Sequence, residues 1–152
     1  MAQEPVKVGL ILPMTGPFTT TGKQVEAGAR FYMQQNGASI DGRKIDLILR
    51  DDGGIADNSR RIAQELLARD KVNILAGFGL TPIALAIAPL ATETKTPMVV
   101  MAAATAIVTE ASPYIVRSSF PQGRPGRDHC GLGGQAWPQE SGDGRFRLRT
   151  RP

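Results

Sequence analysis

The chain has very few of the side chains that enzymes most often use for chemistry. Among its 152 residues are one histidine, His129, and one cysteine, Cys130, both close to the carboxyl end. A Ser-His-Asp site would have to be built around that single histidine. A metal site needs three or four ligands, and a lone cysteine cannot form an internal disulfide bond. We therefore expect no catalytic residues, no bound metal and no cofactor.

Aromatic residues and long apolar runs are also scarce. Aromatic side chains make up 5% of the chain, so Val, Ile, Leu and Ala must fill its core. Phe18, Tyr32 and Phe78 are too sparse for a nucleic-acid stacking platform, and no run is long and apolar enough to span a membrane. The formal net charge is +4, but residues 1–120 hold 12 basic and 11 acidic residues. We expect neither a nucleic-acid partner nor a membrane-embedded segment.

Composition divides the chain at about residue 120. Residues 121–152 are rich in Gly, Pro and Arg, contain the only tryptophan and show no hydrophobic period. Permitted codons for residues 129–150 can be chosen so that a frame shifted by one base encodes an amphipathic helix and an apolar strand. The hypothesis is that the frame shifts between Phe120 and His129, that the protein is truncated, and that residues 121–152 form a poorly ordered tail.

Residues 1–120 alternate between apolar runs and amphipathic segments. Apolar runs predict strands, and apolar residues at helical spacing predict the helices between them. The predicted strands are 6–12, 44–51, 74–76, 98–101 and 114–117, and the predicted helices are 23–35, 57–69 and one that Thr81-Pro82 opens. This alternation predicts an α/β fold in which a parallel sheet carries helices on both faces.

Two loops at predicted strand ends carry small polar residues. Thr81 follows one strand, and the Ala-Ala-Ala-Thr loop of residues 102–105 follows the next. Both loops should lie at the sheet edge where open α/β folds bind ligands. The Thr81 hydroxyl could help to bind a carboxylate at the helix start, or it could only cap its own helix. The alanine loop could admit a ligand to the backbone, or it could pack closely against a neighbouring loop.

Two other motifs are incomplete. Residues 77–79, Gly-Phe-Gly, begin like a dinucleotide fingerprint, but Pro82 stands where its third small residue is needed. The Asp51-Asp52 pair resembles the acidic pocket of a phosphoacceptor domain. A solvated strand end that leads into a helix cap at Asp57, Asn58 or Ser59 is the simpler interpretation.

Six segments between residues 6 and 120 occur in an order that matches a known family. They are VKVGLILPMTGPFTTTG, EAGARFYMQQNG, IDGRKIDLILRDD, the helix that begins near Asn58, AGFGLTPIALAIAPLA, and PMVVMAAAT followed by SPYIVRSSF. The chain resembles the amino-terminal lobe of type I periplasmic solute-binding proteins, in particular the leucine/isoleucine/valine-binding branch that feeds ABC importers. On this resemblance, residues 1–120 are a partial ligand-binding lobe, and the second lobe is missing.

The resemblance implies a non-enzymatic, periplasmic substrate-binding component. Its ligand would be a branched-chain or other amino acid or a small carboxylic acid, and its partner, in a full-length protein, an ABC importer permease. Thr81, Ala103 and Thr105 match positions that hold the ligand in this family. Thr21 stands where an aromatic residue often covers the ligand, and Phe18 lies nearby. This departure makes an aromatic or other small acid as plausible a ligand as leucine.

Two alternative functions remain open from the sequence. The first is a truncated or pseudogene product that binds nothing. The second is a Rossmann-type nucleotide-dependent enzyme, which the incomplete glycine fingerprint disfavours. Residues 1–5 resemble a mature amino terminus behind an initiator methionine, and we expect no signal peptide in this chain.

Overall fold

The computed structural model describes residues 4–120, 139–140 and 146–147. Its contacts divide the chain into two units, Met1–Pro121 and Gln122–Pro152. The first unit contains strands β1 (Val6–Leu12), β2 (Ser39–Ile40), β3 (Arg43–Asp51), β4 (Ile74–Gly77), β5 (Met98–Val100) and β6 (Ile115–Arg117), and helices α1 (Thr19–Asn36), α2 (Ala56–Glu65), α3 (Thr81–Thr94) and α4 (Ile107–Glu110). A π-helical turn, Leu66–Asp70, follows α2 directly.

The strands of the first unit form one sheet with the order β2-β3-β1-β4-β5-β6. The pairs from β3 to β6 are parallel, and β2 pairs antiparallel with β3. The predicted parallel α/β sheet is confirmed. The short edge strand β2 and the helix α4 were not predicted, because each is too short to show a hydrophobic period.

Helices cover both faces of this sheet, as predicted. On one face, α2 and α3 bury the larger apolar cluster, which includes Leu66, Ile83 and Ile87 with Leu75 and Met98 from the strands. On the other face, Leu10, Leu12 and Ala76 are buried, and Val25 of α1 packs against them. The face under α2 and α3 therefore holds most of the buried apolar side chains of the described part.

Two helix starts differ from their predictions. Helix α1 begins at Thr19 rather than Lys23. A Cβ on Gly22 would lie 2.2 Å from the Pro13 carbonyl oxygen, so the first turn of α1 packs closely against the loop after β1, a long-range contact that the turn-like sequence does not reveal. Helix α2 has Ile55 at its N-cap and no side-chain cap bond, so the predicted caps are wrong.

The second unit is described only as a short ladder. Strand β7 (Gln139–Glu140) pairs antiparallel with strand β8 (Phe146–Arg147). The rest of the predicted tail, His129 and Cys130 included, lies outside the described residues. Across the described ranges, none of the helices combines the length and apolar character needed to cross a bilayer.

Candidate ligand-binding site

The loops that follow the parallel strands meet at one edge of the sheet. The Met14 amide donates to Asp51 Oδ1 over 2.8 Å, which joins the loop after β1 to the end of β3. A Cβ built on Gly54, in the loop after β3, would lie 3.3 Å from Phe18 and 3.7 Å from Leu80. The loops after β1, β3 and β4 therefore lie side by side, as expected for the carboxyl ends of parallel strands.

Thr81 and Thr105 are joined by a hydrogen bond between their hydroxyl groups. The two Oγ1 atoms lie 2.8 Å apart, and either can donate. The N-cap of α3 is Leu80, with no side-chain cap bond, so the interpretation that the Thr81 hydroxyl only caps its helix is wrong. The first backbone bond at this end runs from Ala84 to Leu80, which leaves the Thr81 and Ile83 amides without partners inside the helix.

Ala103, in the loop after β5, bonds to the segments that follow β4 and β6. It is 3% exposed, and its amide donates to the Phe78 carbonyl oxygen over 3.0 Å. Its own carbonyl oxygen accepts a hydrogen bond from Ser119 Oγ over 3.3 Å. The small side chain thus permits close packing, and both backbone groups of Ala103 already have partners.

A tight turn at Gly77 and Phe78 leads from β4 towards Thr81. The φ angles are +110° at Gly77 and +64° at Phe78, both in the region that favours glycine. A Cβ on Gly77 would lie 2.2 Å from the Ile11 carbonyl oxygen, so only glycine fits there. The left-handed conformation costs Phe78 about 1–2 kcal/mol, and complete burial of its ring offsets this with about 1.5–3 kcal/mol.

Phe18 and Thr21 lie at the start of α1. Phe18 is the N-cap residue, is 43% exposed and lies near Gly54. Thr21 is half-buried in the first turn, and no hydrogen bond joins it to Thr81 or Thr105. The structure therefore brings Thr81, Ala103 and Thr105 into one group, whereas Phe18 lies near Gly54 in the loop after β3 and Thr21 lies further along α1.

Asp51 holds the loop after β1 in place. Its Oδ1 accepts hydrogen bonds from the amides of Met14, Thr15 and Gly53, and its Oδ2 accepts one from the Thr15 hydroxyl over 2.7 Å. Partial burial raises the pKa of Asp51, but these four hydrogen bonds outweigh it and hold the pKa below its ordinary value. The charged carboxylate is therefore the form that fastens the loop.

Asp52 has a different environment from its neighbour. It is fully buried, its Oδ1 accepts from the Gly54 amide over 2.8 Å, and its Oδ2 accepts from the Ser59 hydroxyl over 2.9 Å. The prediction of a solvated strand end is therefore wrong for this residue. With both oxygens engaged, Asp52 ties the loop after β3 to α2, and nothing here resembles an open acidic pocket.

Arg117 is a residue of this edge that sequence reasoning missed. From the end of β6, its Nη1 donates to the carbonyl oxygens of Ala104, over 3.0 Å, and Thr105, over 2.9 Å. The only signal in the sequence is a single basic residue after an apolar run. No group of three His, Cys, Asp or Glu side chains in the described part could hold a metal ion.

A parallel α/β sheet with polar loops at the carboxyl ends of its strands is typical of proteins that bind small ligands at that edge. Comparisons with known proteins identify the family. Residues 5–140 match the model of a family described as periplasmic binding protein. The chain belongs to this family. Its homologues are solute-binding proteins of ABC transporters rather than enzymes, so this chain is not an enzyme, and the nucleotide-enzyme alternative is wrong.

Three similar proteins illustrate the match. A Leu/Ile/Val-binding protein homologue of Brucella abortus is 41% identical over 116 residues, which are 76% of this chain and 30% of that protein. A solute-binding protein of Rhodopseudomonas palustris BisB5, solved with 3,4-dihydroxybenzoic acid, is 56% identical with a TM-score of 0.76, over 78% of this chain and 32% of its own. Another, from R. palustris HaA2 with p-hydroxybenzoic acid, is 42% identical with a TM-score of 0.74, over the same shares.

The chain spans about a third of the length of these relatives. The matched shares of the three are 30%, 32% and 32%. The residues described above therefore correspond to only part of each longer protein.

Proposed function

We propose that this chain supplies one half of a binding site for a small aromatic carboxylic acid, in the substrate-binding component of an ABC importer. The observation that carries the proposal is the hydroxyl pair of Thr81 and Thr105. A carboxylate has two oxygens, and each threonine hydroxyl can donate one hydrogen bond to them.

The start of α3 adds to the attraction for an anion. The amides of Thr81 and Ile83 have no partner inside the helix, and the amino end of a helix carries a partial positive charge. A carboxylate at this position would accept from the backbone as well as from the hydroxyls. The α3 start and the hydroxyl pair therefore favour the same chemical group.

The acidic side chains at the end of β3 argue against an amino acid as the ligand of this half. An ammonium group needs a carboxylate or free carbonyl partners. Both oxygens of Asp51 accept hydrogen bonds from neighbouring loops, those of Asp52 accept from the Gly54 amide and from Ser59 of α2, and the Ala103 carbonyl accepts from Ser119. This half offers donors for an acid more readily than acceptors for an amine.

An aromatic ring suits the apolar side chains around Gly54. Phe18 is 43% exposed, and a Cβ on Gly54 would contact both Phe18 and Leu80, the residue before Thr81. The two R. palustris proteins were solved with hydroxylated benzoic acids, which supports the same class of ligand for this chain. The name of the Brucella relative supports the alternative, a branched-chain amino acid.

The rest of a longer protein would supply the other half of the site. A ligand held on one side only stays partly hydrated, so this chain alone should bind weakly, with a Kd of about 1 mM or higher. The periplasm as location and an importer permease as partner belong to the same proposal, because both follow from the family.

The proposal can be tested by NMR titration of the ¹⁵N-labelled 152-residue chain. The ligands are 4-hydroxybenzoate, its neutral analogue 4-hydroxybenzamide, and L-leucine. We expect 4-hydroxybenzoate to shift the amide signals of Thr81, Ile83 and Thr105 and to bind more tightly than the other two. Stronger binding of leucine would favour the amino-acid alternative, and no binding of any ligand would favour a non-binding product.

A further inference from the structure

We propose that Arg117 is a positioning residue for this site, one that orients the loop of residues 103–105 without touching the ligand. The ligand part of this inference rests on the proposed function, whereas the loop part does not. Arg117 is the last residue of β6, is itself half-buried, and forms no ion pair with a carboxylate among the described residues.

Side chains from the end of β6 engage three successive carbonyl oxygens of the loop. Ser119 Oγ donates to Ala103 over 3.3 Å. Arg117 Nη1 donates to Ala104 over 3.0 Å and to Thr105 over 2.9 Å. The acceptor side of the loop therefore faces β6.

The opposite side of the loop faces the start of α3. Across a planar trans peptide, the carbonyl of one residue and the amide of the next point in opposite directions. Carbonyls that face β6 thus turn the amides of Ala104 and Thr105 away from β6. The Ala103 amide already points to the other side, because it donates to Phe78 at the end of β4. Since β5 lies between β4 and β6, Arg117 fixes which side of this loop meets Thr81.

The hydrogen bonds from Arg117 are strong and directional enough to hold the loop of residues 103–105 in this orientation. A charged donor makes stronger hydrogen bonds to carbonyl oxygens than a neutral one, and the planar guanidinium has a fixed direction. Arg43 provides a matched comparison within the same sheet. Its Nε donates to the Glu4 carbonyl over 2.9 Å, but it lies at the amino end of β3, away from the loop.

The first test compares amide hydrogen exchange in the 152-residue chain and in its Arg117→Gln and Arg43→Gln variants. Two amides report on the loop: Ala103, bonded to Phe78, and Val108, bonded to Thr105. We expect both to exchange about tenfold faster in Arg117→Gln, with protection of the central strands retained, and to be unchanged in Arg43→Gln. Unchanged protection in Arg117→Gln would overturn the proposal.

The second test measures the affinity for 4-hydroxybenzoate. Arg117→Gln should bind about tenfold more weakly than the unmodified chain and Arg43→Gln equally well. Adding Arg117→Gln to Thr105→Val should cause little further loss, because a positioning residue loses its effect once its target is gone. The loss should be the same at about 50 and 300 mM NaCl, where direct attraction by the charge would be screened.

The outcomes separate this inference from the proposed function. Faster exchange with unchanged affinity, additive losses, or a loss that disappears at high salt would each overturn a positioning role in binding. If the unmodified chain binds no 4-hydroxybenzoate, the proposed function fails, and the exchange rates still decide whether Arg117 holds the loop. If Arg117→Gln does not fold, Arg117→Lys, which keeps the charge and loses the planar fork, serves in the same comparisons.

Discussion

The hydroxyl oxygens of Thr81 and Thr105 lie 2.8 Å apart, although 24 positions separate the two residues in the chain. Thr81 follows β4 and Thr105 follows β5. These two strands are parallel neighbours, so their carboxyl ends lie at the same edge of the sheet. One hydroxyl hydrogen is used between them and the other is free, and a carboxylate that replaces this mutual bond can accept both hydrogens. The pair therefore combines a fixed position with two donors for one anion.

Thr81→Val and Thr105→Val should each weaken 4-hydroxybenzoate binding. Valine keeps the shape of threonine and removes the hydroxyl, so a carboxylate oxygen would lose its donor. We expect a loss of about 1–3 kcal/mol for each variant, measured by NMR titration.

Thr20→Val is the matched control, because Thr20 is exposed on α1 and its hydroxyl has no hydrogen bond in the described part. Its affinity should equal that of the unmodified chain. Full affinity in both site variants would contradict a role for the hydroxyl pair.

Asp51→Asn should reduce stability at neutral pH and flatten its dependence on pH. The pKa of Asp51 is lowered, so its contribution is present above the ordinary carboxyl pKa and is lost as the pH falls through the lower folded value. We expect a loss of about 1 kcal/mol at pH 7, because the asparagine oxygen can still accept from the amides and the site is exposed. Urea unfolding between about pH 3 and pH 7 measures both effects.

Asp46→Asn controls for the loss of a charge on the same strand. Asp46 is exposed on β3, and its side chain accepts no hydrogen bond among the described residues. Its pH profile should follow that of the unmodified chain. An equal flattening in both variants would show that the loop bonds of Asp51 contribute nothing particular.

Gly77→Ala should destabilise the protein strongly. The new methyl group would lie 2.2 Å from the Ile11 carbonyl oxygen, and the φ angle of +110° is strained for alanine. We expect a loss of at least about 3 kcal/mol or a failure to fold, seen by circular dichroism and soluble yield. Gly28→Ala is the opposite case, because Gly28 lies inside α1 with nothing within 4 Å, and it should gain about 0.5–1 kcal/mol.

Ser59→Ala should cost about 1–3 kcal/mol, because it leaves one oxygen of the buried Asp52 carboxylate without its partner. Chemical unfolding gives the change in free energy. Ser118→Ala is the control, since Ser118 is exposed and its hydroxyl has no hydrogen bond in the described part. Equal stabilities for the two variants would contradict the role assigned to Ser59.

The sequence predicted the parallel strands of the sheet and the meeting of Thr81 with the loop of residues 102–105, because both follow from hydrophobic periodicity and sheet topology. The apolar run that forms β5 and the helical spacing that forms α3 are local signals. Once the connection between them is helical, parallel pairing brings their ends to one edge. These features require no knowledge of individual contacts.

Features that depend on distant partners could not be predicted. The Thr81 hydroxyl bonds to Thr105 rather than to its own helix, and nothing local distinguishes the two outcomes. Asp52 can be buried because the Ser59 hydroxyl and the Gly54 amide donate hydrogen bonds to its two oxygens. The Asp51-Asp52 pair in the sequence does not show that these donors are near. The hydrogen bonds of Arg117 likewise reach another loop.

Phe78 links three strands through one residue. It follows β4 directly, its amide donates to the Ile11 carbonyl of β1, and its carbonyl accepts from the Ala103 amide beyond β5, while its ring is fully buried. A shift of the chain at Phe78 would disturb its bonds to the β1 and β5 sides and the packing of a fully buried ring at the same time. The ends of β1, β4 and β5 are therefore coupled through one residue, so we expect this edge of the sheet to resist local rearrangement.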